Sequence, residues 1–182
     1  MRSFVVFFIL SAFLVSFSSN VLAFEPDTSD KLELDVKRAI LEIKQRDPGI
    51  QRFFDGSAGY AVFPSVGKGG LIIGGAFGRG LVIVNEQVDG YTSLSQATIG
   101  AQIGGQKYAQ FIFFKDDTAL DNFRRENFEF GAQASAVAIT AGASVDAAYD
   151  GGVAVFTNAG GGLMAEATIG GQSFKYEPKN PE

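Results

Sequence analysis

Short apolar segments separated by glycine dominate the chain after residue 56. They include Tyr60–Phe63, Leu71–Ile73, Leu81–Val84 and Phe111–Phe114, each bounded by glycine or by a charged residue. Segments of this length, rich in β-branched and aromatic residues, are typical of strands. Gly-Gly pairs recur among them, and glycine inside a strand marks a bulge, a bend or a close backbone approach. We therefore expect a glycine-rich sheet.

Two glycine-containing turns and one inserted helix divide these strands. Asp89-Gly90 and Asp150-Gly151-Gly152 have the residue types of hairpin turns, because glycine and aspartate accept positive φ angles. Residues 116–127 predict a helix that buries Leu120 and Phe123, and residues 128–176 return to strands. The predicted class is mainly β with helices (α+β). We expect an antiparallel, closed or nearly closed sheet, with an N-terminal helix and this inserted helix packed on it.

Residues 24–56 have the periodicity of helices. Asp30, followed by Glu33 three residues later, fits a capping box, and Ser29 is the alternative cap. Apolar side chains then recur at spacings of three and four, which predicts one buried helix face, at Leu32, Val36, Ala39, Ile40 and Ile43. Pro48 ends this helix and is tolerated at the start of a second short one, which we expect to reach Gly56.

The first 23 residues have the plan of a secretory signal peptide. Arg2 precedes a 14-residue segment, Phe4–Phe17, that is apolar except for two serines. This segment is shorter than the roughly 20 residues of a membrane-spanning helix. A polar stretch then ends in Val21-Leu22-Ala23, a small-residue cleavage pattern. We expect cleavage after Ala23 and a periplasmic or secreted protein, whose net charge changes from −5 to −6 with the loss of Arg2.

The expected organisation is a signal peptide over residues 1–23, a helical segment over 24–56, a β-rich domain over 57–178 and a tail over 179–182. We expect the helical segment and the β-rich domain to share one core, because 182 residues is the size of a single domain. The chain has no Cys, so its stability must come from that core rather than from disulfides.

Missing residue types exclude much catalytic chemistry. The chain contains no His, no Cys and no Trp, which excludes Ser-His-Asp and Cys-His nucleophiles and metals held by His or Cys. The segment Gly67–Gly70 contains a lysine but lacks the Ser or Thr of a phosphate-binding loop. A net charge of −5 argues against nucleic acid as a partner, since its phosphates require a basic surface. We expect no enzymatic activity, no cofactor and no bound metal.

Small residues make up almost all of the segment between Gly131 and Ala148. One interpretation is a strongly coiled sheet with glycine at its corners, or alanine-lined strands against which a helix packs closely. The other is a cavity for an acyl chain, because packed interiors leave such a void only where a ligand fills it. The sequence leaves both interpretations open.

Five motifs resemble the SYLF domain. They are Gly59-Tyr-Ala-Val-Phe63, Val66-Gly-Lys68-Gly-Gly70, Gly78-Arg-Gly80, Gln102-Ile-Gly-Gly105 and Phe128-Glu-Phe-Gly131. The resemblance extends over about residues 30–178. It implies a lipid-binding module with affinity for anionic phospholipids, for phosphoinositides in eukaryotic members, and for actin in fungal members. Because this chain carries a predicted signal peptide and no SH3 or FYVE module, we expect neither actin nor phosphoinositides as its partners.

Lys68 is the first candidate for a lipid contact. We expect Gly67, Gly69 and Gly70 to expose backbone N–H groups at a turn, where a lysine completes a small anion site. Since the net charge is negative, attraction to a membrane must come from such a local site. Arg79, which also lies between glycines, is the expected second cation. The alternative is that Lys68 is an exposed lysine at a loop tip.

The outer side of the first helix is the second candidate. At 100° per residue, Leu34 and Leu41 fall opposite the apolar stripe, with Lys37 and Lys44 on one flank. A surface helix is normally polar there, so we expect the leucines to enter a membrane interface while the lysines meet lipid phosphates. Three alternatives remain: a protein partner for the leucines, a helix that lies in a groove and buries both the apolar stripe and the two leucines, and exposed leucines without a function.

The sequence thus predicts a non-catalytic, exported protein that binds anionic phospholipid or a membrane surface. The alternative is a structural or protein-interaction scaffold of the cell envelope without a small ligand. An envelope protein would be the partner of such a scaffold.

Overall fold

The structure is a computed structural model that describes residues 23–70, 73–99, 106–125, 128–131, 134–159 and 166–180. Residues 1–22 of the predicted signal peptide lie outside this set. The helices are α1 (Lys31–Arg46), α2 (Gln51–Gly56) and α3 (Asp117–Arg124), and a 3-10 turn, Pro48–Ile50, joins α1 to α2. The strands of the described part are β1 (Gly59–Gly70), β2 (Ile73–Val84), β3 (Gln87–Ile99), β4 (Gln106–Phe114), β5 (Phe128–Glu129), β6 (Ser135–Ala138), β7 (Val153–Ala159), β8 (Glu166–Thr168) and β9 (Gln172–Pro178).

Helix α1 begins where its sequence predicts. The Asp30 carboxylate accepts hydrogen bonds from the backbone N–H groups of Leu32 (2.7 Å) and Glu33 (3.3 Å), as an N-cap does. The expected capping box is incomplete, because the Glu33 carboxylate binds the Asp27 N–H at 2.7 Å and the Lys179 ammonium at 2.8 Å. The predicted stripe faces the sheet, and its buried members are Val36, Ala39, Ile40 and Ile43.

The strands form a mixed, curled and open sheet, whereas a purely antiparallel and closed or nearly closed one was expected. Within the described residues the strand order is β5-β9-β3-β2-β1-β4-β7-β6-β8. Strand β6 pairs with β7 in parallel, because the chain between them, residues 139–152, is long enough for a crossover in place of a hairpin. The edge strands β5 and β8 have two and three residues and do not pair with each other. The result is a half-barrel.

The β2–β3 hairpin turns at Asn85-Glu86, so the prediction of a turn at Asp89-Gly90 is wrong. Asn85 and Glu86 have φ angles of 50° and 61°, which is the signature of a two-residue type I′ turn. Asp89 and Gly90 instead lie within β3, where the pairing register with β2 shifts. A Cβ atom at Gly90 would approach the Glu177 carbonyl oxygen to 2.5 Å, so glycine is required there by close packing against β9.

The other glycine turn is present, but the isolated Asp150–Val153 bridge flanks it in place of a two-stranded hairpin. The inserted helix covers Asp117–Arg124 of the predicted residues 116–127. Gly151 and Gly152 have φ angles of 57° and 86°, the conformation for which glycine is suited. Asp116 caps α3 by accepting a hydrogen bond from a backbone N–H in its first turn. Leu120 and Phe123 are buried, as predicted for the inner side of this helix.

Each face of the sheet covers a core. On the convex face, α1 and α2 pack over strand residues that include Val62, Leu81 and Phe113. On the concave face, α3 closes over a second cluster. The curl brings β4 and β9 together across that cluster. The amides of Gln110 and Gln172 exchange hydrogen bonds of 2.8 and 3.2 Å, although three strands separate β4 from β9 in the sheet order.

Aromatic rings occupy the concave interior. The rings of Phe63 and Phe174 lie 5.7 Å apart, and those of Phe114 and Phe123 lie 4.9 Å apart. The small-residue segment lines an open groove of about 270 Å³ beside α3.

Candidate functional site

Lys68 and Arg79 lie on neighbouring strands but on opposite faces of the sheet. In the β1–β2 pair, Lys68 is opposite Ala76 and Arg79 is opposite Ser65. Ala76 belongs to the concave core, and cross-strand partners share a face, so Lys68 lies on the concave side. Arg79 is two residues from Leu81, which belongs to the convex core, and therefore lies on the convex side. The expected two-cation site is not formed.

The glycines around Lys68 form a strand rather than a turn. Gly67, Gly69 and Gly70 pair with Phe77, Gly75 and Gly74 of β2. Strand β1 extends to Gly70 and β2 begins at Ile73, and residues 71–72 lie outside the described residues. The expected nest of backbone N–H groups at Gly67–Gly70 is thus replaced by ladder pairing.

The outer side of α1 carries exposed leucines, but its lysines already have partners. Leu34 and Leu41 are 37% and 49% exposed. The alternative in which a groove buries these leucines together with the apolar stripe is therefore wrong. The Lys37 ammonium binds the Phe24 carbonyl oxygen and the Glu25 carboxylate. Lys44 lies over the Phe54 ring, 4.2 Å from its centre, and burial lowers the pKa of its ammonium. These lysines serve the packing of α1.

A second surface lies on the convex face beyond α1. Strand pairing places Lys107, Gly67, Phe77 and Ser95 side by side on β4, β1, β2 and β3. The Phe77 side chain is 58% exposed, and Gly67 beside it has no side chain. Arg79 lies two residues further along the same face of β2. It pairs with Ser93 of β3, and Ser93 in turn pairs with Lys175 of β9. We call Phe77, Arg79, Lys107 and Lys175 the convex patch.

The convex patch concentrates positive charge in an acidic protein. Within the described part of the chain, none of its three cations forms a salt bridge. The row of paired residues that contains Phe77 continues through β3 and β9 to Glu129 of β5, which carries the carboxylate of that row. Glu129 is three strands from Phe77, or about 14 Å at a strand spacing of about 4.8 Å. The patch is an exposed aromatic ring bordered by unpaired cations.

An open groove of about 480 Å³ lies at the N-terminal end of α1, and Phe77, Arg79 and Lys175 of the patch are among the residues that line it. Arg79 and Lys175 line one part of it, and Asp30, Tyr91 and Glu177 line another. The Tyr91 hydroxyl donates to the Asp30 carboxylate at 3.3 Å. Burial and this carboxylate raise the pKa of Tyr91, so the phenol is neutral at physiological pH.

The sequence named Arg79 as a candidate contact but did not indicate which residues lie beside it. Phe77, Arg79 and Leu81 alternate with small residues along β2, which is the pattern of one strand face. That alternation could have placed Phe77 beside Arg79. Lys107 and Lys175 reach the same face only through strand pairing, for which the sequence carries no comparable signal.

Neither metal ligation nor helical membrane insertion is visible in the described ranges. No group of three or more acidic side chains converges there as metal ligands do. No helix of those ranges is both long and apolar enough to cross a bilayer.

Comparison with known proteins identifies the family. Residues 95–179 match the Ysc84 family model, described as Las17-binding protein actin regulator. The chain is also 32% identical over 138 residues to Beta cell expansion factor A of Aeromonas veronii. The chain belongs to the SYLF family. The alignment covers 75% of this chain and 52% of that relative, so this SYLF protein spans about half the length of the curated protein that it matches.

The segment that matches the SYLF family model includes part of the convex patch. Lys107 and Lys175 lie within residues 95–179, and so does Glu177 of the groove. Phe77 and Arg79 precede the matched segment and join it through the β2–β3 ladder.

Proposed function

We propose that the mature chain is an exported, non-catalytic protein that binds the surface of membranes containing anionic phospholipid. The observation that carries this proposal is the convex patch, in which the exposed Phe77 ring lies among three cations without salt-bridge partners in the described residues. At a membrane interface an aromatic ring enters the boundary of the acyl region, while cations meet lipid phosphates. The net charge of −6 after signal-peptide loss repels an anionic membrane, so the attraction must come from a local surface such as this patch.

The size of the patch predicts weak and reversible binding. A cation near an anionic leaflet contributes about 1 kcal/mol, and burial of a Phe side chain contributes about 1.5–3 kcal/mol. Three cations and one ring therefore supply at most roughly 5 kcal/mol, which corresponds to a dissociation constant no tighter than about 0.2 mM, because the carboxylates of Asp30 and Glu177 in the groove oppose an anionic surface. Added salt is expected to weaken this binding, because exposed charges are screened.

The first test removes the ring and one cation that lies outside the groove. Phe77→Ser combined with Lys107→Gln is expected to lower the partition coefficient more than tenfold, from the loss of about 2.5–4 kcal/mol. The measurement is flotation with vesicles of phosphatidylglycerol and phosphatidylcholine. The matched control is Val145→Ser with Lys115→Gln, which removes an exposed apolar residue and an exposed cation elsewhere.

Two results would contradict the proposal in different ways. If the patch variant floats as well as the wild-type protein, the patch is not the contact surface. If wild-type protein binds no anionic vesicle, the envelope-scaffold alternative is preferred and a protein partner should be sought.

The exposed leucines of α1 provide a second contact in this proposal. Leu34→Gln with Leu41→Gln is expected to change the free energy of unfolding by less than about 0.5 kcal/mol, because both side chains are exposed. We expect flotation to fall by less than for the patch variant, since Lys37 and Lys44 beside them are engaged within the protein. Urea unfolding and the same flotation assay measure the two effects. Complete loss of flotation at unchanged stability would make α1 the main contact.

A further inference from the structure

The groove that shares Phe77, Arg79 and Lys175 with the convex patch carries opposite charges on two adjacent rows of paired residues. One row contains Arg79 of β2, Ser93 of β3 and Lys175 of β9. The next row contains Tyr91 of β3 and Glu177 of β9. Because the rows are separated by two residues along each strand, about 6.8 Å divides the positive row from the negative one.

Each row can receive one charged group. Arg79 and Lys175 flank Ser93 from the two neighbouring strands, so a phosphate above Ser93 lies within reach of both cations and of the serine hydroxyl. In the other row, the Tyr91 ring lies beside the carboxylates of Asp30 and Glu177, which suits an ammonium group. Glu177 has no salt-bridge partner in the described residues.

We propose that this groove binds a zwitterionic phosphoethanolamine group, with the phosphate on Arg79 and Lys175 and the ammonium on Asp30 and Glu177. The two charges of phosphoethanolamine are joined by a two-carbon unit, so they fit within the separation of the rows. A primary ammonium donates hydrogen bonds to both carboxylates. This inference deepens the proposed membrane binding, because it names the lipid headgroup that the surface selects once it is docked.

The balance of charge argues against a purely anionic ligand. A phosphate without an ammonium would place Glu177 and Asp30 opposite an unneutralised negative charge, and like charges at such a distance repel. A quaternary choline keeps the positive charge but has no N–H donor for the carboxylates. The groove is therefore expected to prefer a primary amine over both.

The test uses soluble headgroups, so that it does not depend on membrane binding. Isotope-labelled protein is titrated with glycerophosphoethanolamine, glycerophosphocholine and glycerol 3-phosphate, and the backbone amide shifts of Ser93 and Lys175 are followed. We expect saturable shifts, with glycerophosphoethanolamine bound about threefold to fivefold more tightly than either of the others, the factor that one partly exposed ion pair contributes. Glu177→Gln should abolish the preference, and Lys175→Gln should weaken binding of all three compounds.

A vesicle experiment separates the lipid from the free headgroup as the source. At constant anionic content, replacing phosphatidylcholine by phosphatidylethanolamine should increase flotation of wild-type protein and leave Glu177→Gln unaffected. Equal affinity for the three soluble compounds, or no saturable shift with any of them, would overturn the inference. Flotation on anionic vesicles would then still support the proposed function, which fails only if wild-type protein does not float.

Discussion

Phe113→Ala is expected to lower the free energy of unfolding by about 3–5 kcal/mol, the range for removal of a fully buried aromatic side chain. Phe113 is completely buried in the convex core. Its ring centre lies 5.6 Å from that of Phe53, 4.9 Å from Phe54, 5.9 Å from Tyr60 and 5.8 Å from Phe156. Alanine would leave a cavity among these four rings. Because two of the rings belong to α2 and two belong to strands of the sheet, they cannot all move to fill the cavity.

Equilibrium urea unfolding measures this loss, and Phe77→Ala is the matched control. Both substitutions remove a Phe from a central strand, but Phe77 is 58% exposed. We therefore expect Phe77→Ala to change stability by less than about 0.5 kcal/mol. A large loss of stability in Phe77→Ala would show that its ring is part of the core, and the convex patch would lose its exposed aromatic residue. A small loss in Phe113→Ala would contradict the described packing of α2.

The helical segment could be predicted from sequence because its signals are local. The N-cap Asp30 and the spacing of Val36, Ala39 and Ile43 identify both the start of α1 and its buried face. The short helix after Pro48 follows from proline at its start and from the pair Phe53-Phe54, both of which are buried. Capping and periodicity depend only on neighbours a few residues away.

The face on which Lys68 lies could not be predicted, because a bulge reverses the alternation of β1. Val62 belongs to the convex core and Val66 to the concave core, although residues four apart in a regular strand share a face. The register of β1 with both neighbours shifts between them, near Ser65. One extra residue moves every later side chain to the other face. The extra residue lies on β1, whereas Arg79 and Leu81 of β2 are two residues apart and pair regularly with Ser93 and Tyr91 of β3. The two cations therefore face opposite sides of the sheet.

The curl of the sheet is equally invisible in the sequence. Gln110 and Gln172 lie 62 residues apart and belong to strands that are not neighbours. An amide in an apolar strand would ordinarily be assigned to the solvent side. Both are instead completely buried, because curling brings β4 and β9 face to face and the amides satisfy each other. The two glutamines meet only because the sheet curls, so the free energy of their interaction tests whether the sheet is curled in solution.

Replacing one member of this pair should cost far more than replacing both. Gln172→Leu leaves the Gln110 amide buried without its partner, which costs about 1–3 kcal/mol. Gln110→Leu likewise leaves the Gln172 amide buried without this partner. In Gln110→Leu with Gln172→Leu no amide remains to be satisfied, and an apolar pair of similar shape is nearly neutral. The double variant should therefore be more stable than either single variant.

Tyr108 sets the residual cost in the double variant. The Gln172 amide nitrogen lies 3.5 Å from the Tyr108 hydroxyl, and burial raises the pKa of this phenol to about 12, so the hydroxyl keeps its proton at neutral pH. Removing Gln172 withdraws a polar neighbour from that hydroxyl. Adding Tyr108→Phe to the double variant should recover any stability lost for this reason.

A double-mutant cycle in urea measures the coupling between the two glutamines. We expect a coupling free energy of about 1–3 kcal/mol, since residues in direct hydrogen-bond contact interact on this scale while distant ones add independently. Gln172→Leu combined with Gln45→Leu is the control pair, because Gln45 is exposed on α1 on the other side of the sheet. Additive losses for Gln110 and Gln172 would mean that their amides do not meet in solution. The sheet would then be flatter than described, and β4 and β9 would not enclose a common core.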